Sequence, residues 1–230
     1  MTPPRNCQGQ FVPTTKVNVR FFEEPSHELA WVLGLLASDG NIETGSNRVS
    51  LSQSGDHGKS LLLKVKDMIG WDGKLAVLYP TPTPVYRLRF SSPEVREVLL
   101  GWGIEPAKTF SQQFVPIEEE FHRSFIRGCI DGDGSVGVYS VGACPRYLIM
   151  SLTGTPELVD KVGTIVPTSS HRLRDLRGCR EVRWNGQNAF QAARWVFQPS
   201  KLPETKKSAI WRNYEREIHN DRPKWYSKYF

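Results

Sequence analysis

The segments LGLLASDG, residues 33–40, and RGCIDGDG, residues 127–134, decide how this chain is organised. Each segment reads as the end of an apolar helix that closes on an acid followed by a glycine. The chain therefore offers two equivalent carboxylates, Asp39 and Asp133. A pair of acids placed by a repeat indicates metal-dependent chemistry on a two-stranded substrate.

The spacing between the two acids recurs elsewhere in the chain. It also separates Arg89 from Arg183, although the intervening loops differ in length. The same spacing thus relates two acids near the start of each repeated unit and two arginines near its end. This agreement indicates an internal duplication with pseudo-twofold symmetry. We predict an α/β (α+β) protein of two α-β-β-α-β-β-α halves. The predicted boundaries are residues 1–103 for the N-terminal half, 104–117 for the linker, 118–200 for the C-terminal half and 201–230 for a basic C-terminal extension.

Hydrophobic periodicity places the individual elements, since helices and strands repeat their apolar positions at different intervals. Ser26 is the predicted N-cap of the first helix. The predicted helices are His27–Ala37, Gly58–Ile69, Pro93–Trp102, Glu118–Ile130, Pro156–Ile165, Asn188–Phe197 and Lys206–His219. The predicted strands are Arg48–Gln53, Lys74–Tyr79, Val85–Phe90, Ser135–Ser140, Arg146–Thr153, His171–Asp175 and Arg180–Asn185.

Composition favours a folded protein with a polyanionic partner. The 230 residues carry a net charge of +6 and a pI near 9.2. Nucleic acid is the leading candidate partner, and a slightly basic solubility surface is the alternative. The four cysteines have no paired spacing, so neither a zinc site nor a disulfide framework is indicated.

Apolar runs in the sequence are short. None approaches the roughly 20 residues that span a bilayer, and the N-terminus lacks the apolar core of a signal peptide. We expect a protein that is neither secreted nor bound to a membrane. Its expected location is the cytoplasm of a bacterium or phage host, or an organelle.

The paired segments resemble the motifs of the LAGLIDADG homing endonucleases, in the single-chain form that carries both copies. The resemblance covers most of residues 20–200. The second copy is the better match because it keeps both acids of the family motif, whereas the first copy has Ala37 in place of the earlier acid. The later acid is the one that the family uses in catalysis, and both copies keep it.

This resemblance implies a saddle of two antiparallel sheets over DNA. It also implies a monomeric, Mg²⁺-dependent, site-specific double-strand DNA endonuclease with a long, near-asymmetric target, encoded in a mobile intron or intein or standing alone. The alternatives are an inactive DNA-binding regulator of this fold, an intron RNA maturase and a protein that binds structured RNA.

The chemistry of the paired motif can be argued from its residues. Small residues in both segments let two helices approach closely, so that their C-terminal ends bring the acids together. Two adjacent carboxylates repel each other unless cations lie between them, and hard oxygen ligands suit Mg²⁺. The predicted ligands are the carboxylates of Asp39 and Asp133 with the backbone carbonyls of Ser38 and Gly132. The alternative is that each acid only ends its helix.

Three further residues acquire roles from the resemblance. Arg89 and Arg183 occupy the position where the family carries a basic residue beside the scissile phosphates. Gln53 resembles the polar residue that orients the attacking water, and its counterpart in the second half is near Thr153 or Gly154. Simple contact with the DNA backbone is the alternative for the two arginines.

DNA recognition is predicted for polar positions that alternate along the strands, because such a face can meet base edges in the major groove. An ordinary solvated sheet face is the alternative. The predicted base contacts are Arg48, Ser50, Ser52, Arg87, Arg146, Arg172, Arg174, Glu181 and Asn185. The predicted phosphate contacts, which position the DNA without specifying it, include Arg177, Arg180, Lys206 and Lys207. Truncation after Pro199 is accordingly expected to weaken binding to all sequences alike, provided that the fold survives.

Overall fold

The computed structural model describes residues 16–78, 83–107, 111–140, 146–198 and 201–221. Part of the predicted linker and the end of the predicted C-terminal extension, beyond residue 221, lie outside these ranges. Within the described ranges, no helix combines the length and the apolar character that crossing a membrane requires.

Two similar sets of elements follow one another along the chain. The helices are α1 Arg20–Glu23, α2 His27–Asp39, α3 Gly55–Met68, α4 Pro93–Gly101, α5 Glu119–Asp133, α6 Pro156–Ile165, α7 Gln187–Phe197 and α8 Lys206–Asp221. The strands are β1 Gly40–Ile42, β2 Arg48–Ser54, β3 Ala76–Leu78, β4 Val85–Ser91, β5 Gly134–Tyr139, β6 Tyr147–Gly154, β7 Arg172–Leu176 and β8 Cys179–Asn185. The predicted α-β-β-α-β-β-α order is confirmed for each half, and the short helix α1, which was not predicted, precedes it in the first half.

Each half contains a four-stranded antiparallel sheet, and the two sheets have equivalent strand orders. These orders are β1-β2-β4-β3 and β5-β6-β8-β7. The register also matches, because Ser50 pairs with Arg89 in the first sheet and Ser151 pairs with Arg183 in the second. Arg89 and Arg183 therefore hold equivalent places, as their spacing in the sequence predicts.

Helices α2 and α5 run parallel through the centre of the molecule and touch backbone to backbone. A Cβ added to Gly34 would lie 2.1 Å from the carbonyl oxygen of Phe125, and one added to Gly128 would lie 2.1 Å from the carbonyl oxygen of Trp31. Any side chain at either glycine would force the helices apart. One continuous apolar core surrounds this contact and draws on both halves.

The two central helices extend further than the sequence pattern predicts. Ser26 caps α2 as predicted, since its hydroxyl accepts a hydrogen bond of 3.0 Å from the backbone N–H of Leu29. The helix then continues to Asp39 and leads directly into β1. Gly40 has an ordinary φ of −77°, but a Cβ there would lie 2.5 Å from the carbonyl oxygen of Leu36. Close packing against the last helical turn therefore accounts for this glycine.

Helix α8 is part of the core of the second half. Its Trp211, Tyr214 and Ile218 are buried, and the Trp211 ring packs edge-on against Phe190 of α7 with the ring centroids 4.9 Å apart. The sequence-based interpretation of this segment as a basic extension is thus incomplete. One face of the helix is apolar and holds α8 against the body of the protein.

Candidate functional site

The two acids of the repeated motif come together at the shared end of α2 and α5. Asp39 is half-buried and Asp133 is exposed. A Cβ added to Gly132 would lie 2.6 Å from the Ser38 Cβ and 3.1 Å from the Asp39 Oδ2. The carboxylate of the first acid therefore lies against the residue directly before the second acid, as expected for a site built on the pseudo-twofold axis.

Gln53 contacts the first acid directly. Its Nε2 donates a hydrogen bond of 2.5 Å to the Asp39 Oδ2. The sheet registers identify its counterpart, because Gly40 pairs with Leu51 and Gly134 pairs with Leu152. The counterpart is thus Gly154, which has no side chain, and the amide donor of the first half has no equivalent in the second.

Lys207 of α8 covers the C-terminal end of α5. Its Nζ donates hydrogen bonds to the carbonyl oxygens of Ile130, Asp131 and Gly132 at 2.7, 2.9 and 2.7 Å. Burial lowers the pKa of this ammonium, and the nearby carboxylates of Asp131, Asp39 and Asp133 oppose that shift. Lys207 therefore holds the end of α5 through these carbonyl groups, and its predicted phosphate contact stays a prediction.

Asp131 connects three helices from a fully buried position. Its carboxylate accepts hydrogen bonds from the Trp31 Nε1 at 2.9 Å and the Thr205 Oγ1 at 2.6 Å. The Nε of Arg127 lies 3.6 Å from the same carboxylate, with both side chains almost completely buried. Burial raises the pKa of Asp131. Sequence analysis assigned Asp131 no role, although the i,i+4 spacing of Arg127 and Asp131 on a helix could have indicated the pair.

The open faces of the two sheets carry most of the residues predicted to contact bases. Antiparallel partners share a face, and the registers pair Ser52 with Arg87 and Arg174 with Glu181. The Arg87 Nε donates to the Ser52 Oγ at 3.0 Å. The face of the first sheet carries Arg48, Ser50, Ser52, Arg87 and Arg89, but Ser50 is buried among its neighbours. The face of the second sheet carries Arg172, Arg174, Glu181, Arg183 and Asn185, which together line one shallow depression.

The two equivalent arginines differ in exposure. Arg89 is exposed, whereas Arg183 is half-buried and its Nε donates to the Asn185 Oδ1 at 3.2 Å. Arg146 lies just before β6, and its guanidinium is 2.9 Å from the carboxylate of Glu217 on α8. Arg177, between β7 and β8, and Lys206 are exposed.

Arg180 lies on the other side of the second sheet. It alternates with Glu181 along β8 and faces the helices, where its guanidinium bonds to Asp160 of α6 at 2.5 Å and to Asp175 of β7 at 2.7 Å. These hydrogen bonds raise the pKa of Arg180. The two carboxylates balance its charge in the protein without DNA, and the predicted phosphate contact of Arg180 stays a prediction.

Comparison with solved structures identifies the fold. I-SmaMI, bound to an uncleaved DNA target in the presence of calcium ions, superimposes with a TM-score of 0.56 and 11% identity over 86% of this chain and 93% of that chain. For the LAGLIDADG meganuclease I-AabMI bound to uncleaved DNA, the TM-score is 0.54, with 11% identity over 84% and 90%. The chain has the LAGLIDADG homing endonuclease fold.

The same fold relates the chain to full-length DUF199/WhiA from Thermatoga maritima. The TM-score is 0.50, with 15% identity over 87% of this chain. The chain spans 65% of the length of that protein. No protein-family model matches the sequence, and no curated protein matches it.

In this homing endonuclease fold, the residues at the shared helix ends fit a divalent cation in part. The Asp39 and Asp133 carboxylates supply the hard oxygen atoms that Mg²⁺ prefers. The Gly132 carbonyl does not fit the predicted ligand role, because a cation at that oxygen would face the Lys207 ammonium. Among the described residues, no cluster of three or more His, Cys, Asp or Glu side chains is arranged to hold a metal.

Proposed function

We propose that this protein is a site-specific endonuclease that cuts both strands of DNA with the help of a divalent metal, Mg²⁺. The meeting of Asp39 and Asp133 at the ends of two parallel helices carries the proposal. One carboxylate per half gives the chain a reacting group for each strand of a duplex. A single chain that contains both halves would act as a monomer.

The two acids would hold the metal. A bound divalent ion supplies hydroxide near neutral pH and stabilises charge on the oxygens of a phosphodiester. Gln53 fixes the Asp39 carboxylate through its amide. Arg89 and Arg183, on the open sheet faces, can bind phosphate through two N–H groups and stabilise the negative charge that develops during hydrolysis.

Double-stranded DNA is the proposed partner. The open sheet faces carry alternating polar and basic side chains, and the net charge of +6 favours a polyanion. The two faces are not alike, since the equivalent of Arg87 in the second sheet is Glu181. Because an arginine and a glutamate favour different bases, the target is expected to be long and asymmetric. Intron or intein homing is the corresponding genetic setting.

A DNA-binding protein without cleavage is the second candidate. Lys207 favours it, because its ammonium already covers the Gly132 carbonyl at the end of α5. Both candidates require the same basic sheet faces. They differ in the acids, which only a nuclease needs in both halves.

Cleavage selection from a randomised duplex library tests the proposal, with Mg²⁺ in one reaction and Ca²⁺ in the other. We expect wild-type protein to enrich one long cut sequence with Mg²⁺. On that sequence, Asp39→Asn and Asp133→Asn should each abolish double-strand cleavage and leave DNA affinity nearly unchanged. Asp67→Asn, which changes an exposed acid on α3, is the control and should cut normally.

Two results would count against the nuclease. Full double-strand cleavage by either acid variant would remove the role assigned to the acids. Specific DNA binding by the wild-type protein, with no strand cut in any divalent metal, would support the second candidate.

A further inference from the structure

Lys207 reaches the acid site from α8, which lies outside both repeated motifs. Thr205 and Ser208 cap the start of this helix reciprocally, because the Ser208 N–H donates to the Thr205 Oγ1 at 3.2 Å and the Thr205 N–H donates to the Ser208 Oγ at 2.8 Å. The Thr205 hydroxyl also bonds to Asp131. These contacts fix the first turn of α8 beside the end of α5.

The ammonium of Lys207 is well satisfied in this position. It has three N–H donors, and three carbonyl oxygens at the end of α5 lie at hydrogen-bond distance. The end of a helix carries partial negative charge, so a cation there is stabilised. The carboxylates of Asp39 and Asp133 add their field to that of the helix.

We propose that Lys207 is a positioning residue whose ammonium takes the place of one divalent cation on the Asp133 side of the acid site. The inference rests on one part of the proposed function, the binding of a divalent cation by the paired acids, and not on DNA cleavage. Lys207 covers the Gly132 carbonyl and repels a divalent ion that approaches the acids. The Asp39 side has Gln53, a neutral donor, so the two halves hold cations differently.

A purely structural role for Lys207 predicts a different result. If the ammonium only capped α5 and acted on the acids too weakly to matter, its removal would lower stability without strengthening cation binding. If it stands in for a cation, its removal exposes the two carboxylates to a divalent ion and frees a carbonyl ligand. Affinity for the ion then rises although the protein becomes less stable.

Mn²⁺ binding to the full chain without DNA, followed by electron paramagnetic resonance, separates these roles. We expect Lys207→Met to bind Mn²⁺ more tightly, on the order of tenfold, because one positive charge near the acids is lost. Lys206→Met is the matched control, since it removes the same charge from the exposed neighbour on the same helix. Its Mn²⁺ affinity should stay within about twofold of wild type because water screens the exposed charge.

Lys207→Gln removes the charge but keeps two N–H donors on a slightly shorter side chain, so this variant replaces Lys207→Met in the experiment if the methionine variant does not fold. It should also bind Mn²⁺ more tightly than wild type. Unchanged or weaker Mn²⁺ binding by a folded Lys207 variant would overturn the proposal. The Mn²⁺ measurement does not depend on DNA cleavage. If the wild-type protein never cuts DNA but the Lys207 variants bind Mn²⁺ more tightly, the role of Lys207 is supported and the nuclease activity is rejected.

Discussion

At the scale of single residues, the two acids of the repeated motif have different surroundings. Asp39 accepts a hydrogen bond from Gln53, whereas the equivalent position in the second half is Gly154. A hydrogen bond to a charged group contributes roughly 1.5–3 kcal/mol. The Gln53 amide can therefore hold one orientation of the Asp39 carboxylate, and no side chain at position 154 can do so for Asp133.

Gln53→Ala tests this difference. We expect the variant to cut the selected DNA about tenfold more slowly, equal to a loss of roughly 1.4 kcal/mol of transition-state stabilisation, because the Asp39 carboxylate loses its fixed orientation. Single-turnover cleavage and DNA affinity should be measured together. Ser52→Ala is the control, since Ser52 lies on the open face of the same strand and should alter affinity more than rate. An unchanged cleavage rate in Gln53→Ala would argue against a role for the amide.

At the scale of elements, the acids meet because α2 and α5 lack side chains where they cross. The Cα atom of Gly34 would lie 2.9 Å from a Cβ on Gly128, closer than a side chain tolerates. The atoms nearest to both glycines belong to backbone, so no rotamer change can relieve the clash. Helix separation and acid placement are therefore linked.

Gly128→Ala should separate the helices and destabilise the protein. Overpacking of a core contact typically costs about 1–3 kcal/mol, and a clash between backbones belongs at the upper end of that range. Urea unfolding measures the cost. Gly101→Ala in α4 is the control, because its Cβ would meet open space, and alanine there should be neutral or stabilise the helix by about 0.5–1 kcal/mol. Equal stability of the two variants would refute the assigned role of the glycine contact.

At the scale of the whole molecule, the repeat in the sequence was sufficient to predict the two halves and most of their elements. Periodicity could not reveal β1, since Gly40–Ile42 is too short to show an alternating pattern. The contact of Lys207 with α5 could not be predicted from the sequence either, because the partners of Lys207 lie far away along the chain. The packing of α8 could have been predicted, because Trp211, Tyr214 and Ile218 form an apolar stripe at helical spacing. The interpretation of the segment from its basic charge left this stripe out.

The registers of the two sheets explain why the site could be predicted only in part. The acids and the two arginines share one offset, but the loops between them differ in length. A sequence offset alone therefore left Thr153 and Gly154 as alternatives for the counterpart of Gln53. Only the strand pairing identifies Gly154. The side of the sheet on which Arg180 lies could not be predicted from the sequence either. It depends on the pairing of β8 with its neighbours.

Truncation after Pro199 tests how α8 contributes to the molecule. The earlier expectation of uniformly weaker DNA binding required the fold to survive, and the burial of Trp211, Tyr214 and Ile218 makes that outcome untenable. Loss of a buried tryptophan alone typically costs about 3–5 kcal/mol, a large share of the roughly 5–15 kcal/mol that stabilises a domain. We therefore expect the truncated chain to lack cooperative thermal unfolding by circular dichroism.

A variant that removes basic groups but keeps α8 separates this loss of packing from a loss of phosphate contacts. Lys206→Ala combined with Arg212→Ala removes two exposed basic groups from α8 and leaves its apolar face intact. It should unfold close to the wild-type temperature while binding all DNA sequences somewhat more weakly, because fewer phosphates are neutralised. Cooperative unfolding of the truncated chain near the wild-type temperature would show that α8 is dispensable for the core, and the anchoring of Lys207 at the acids would then lose its structural basis.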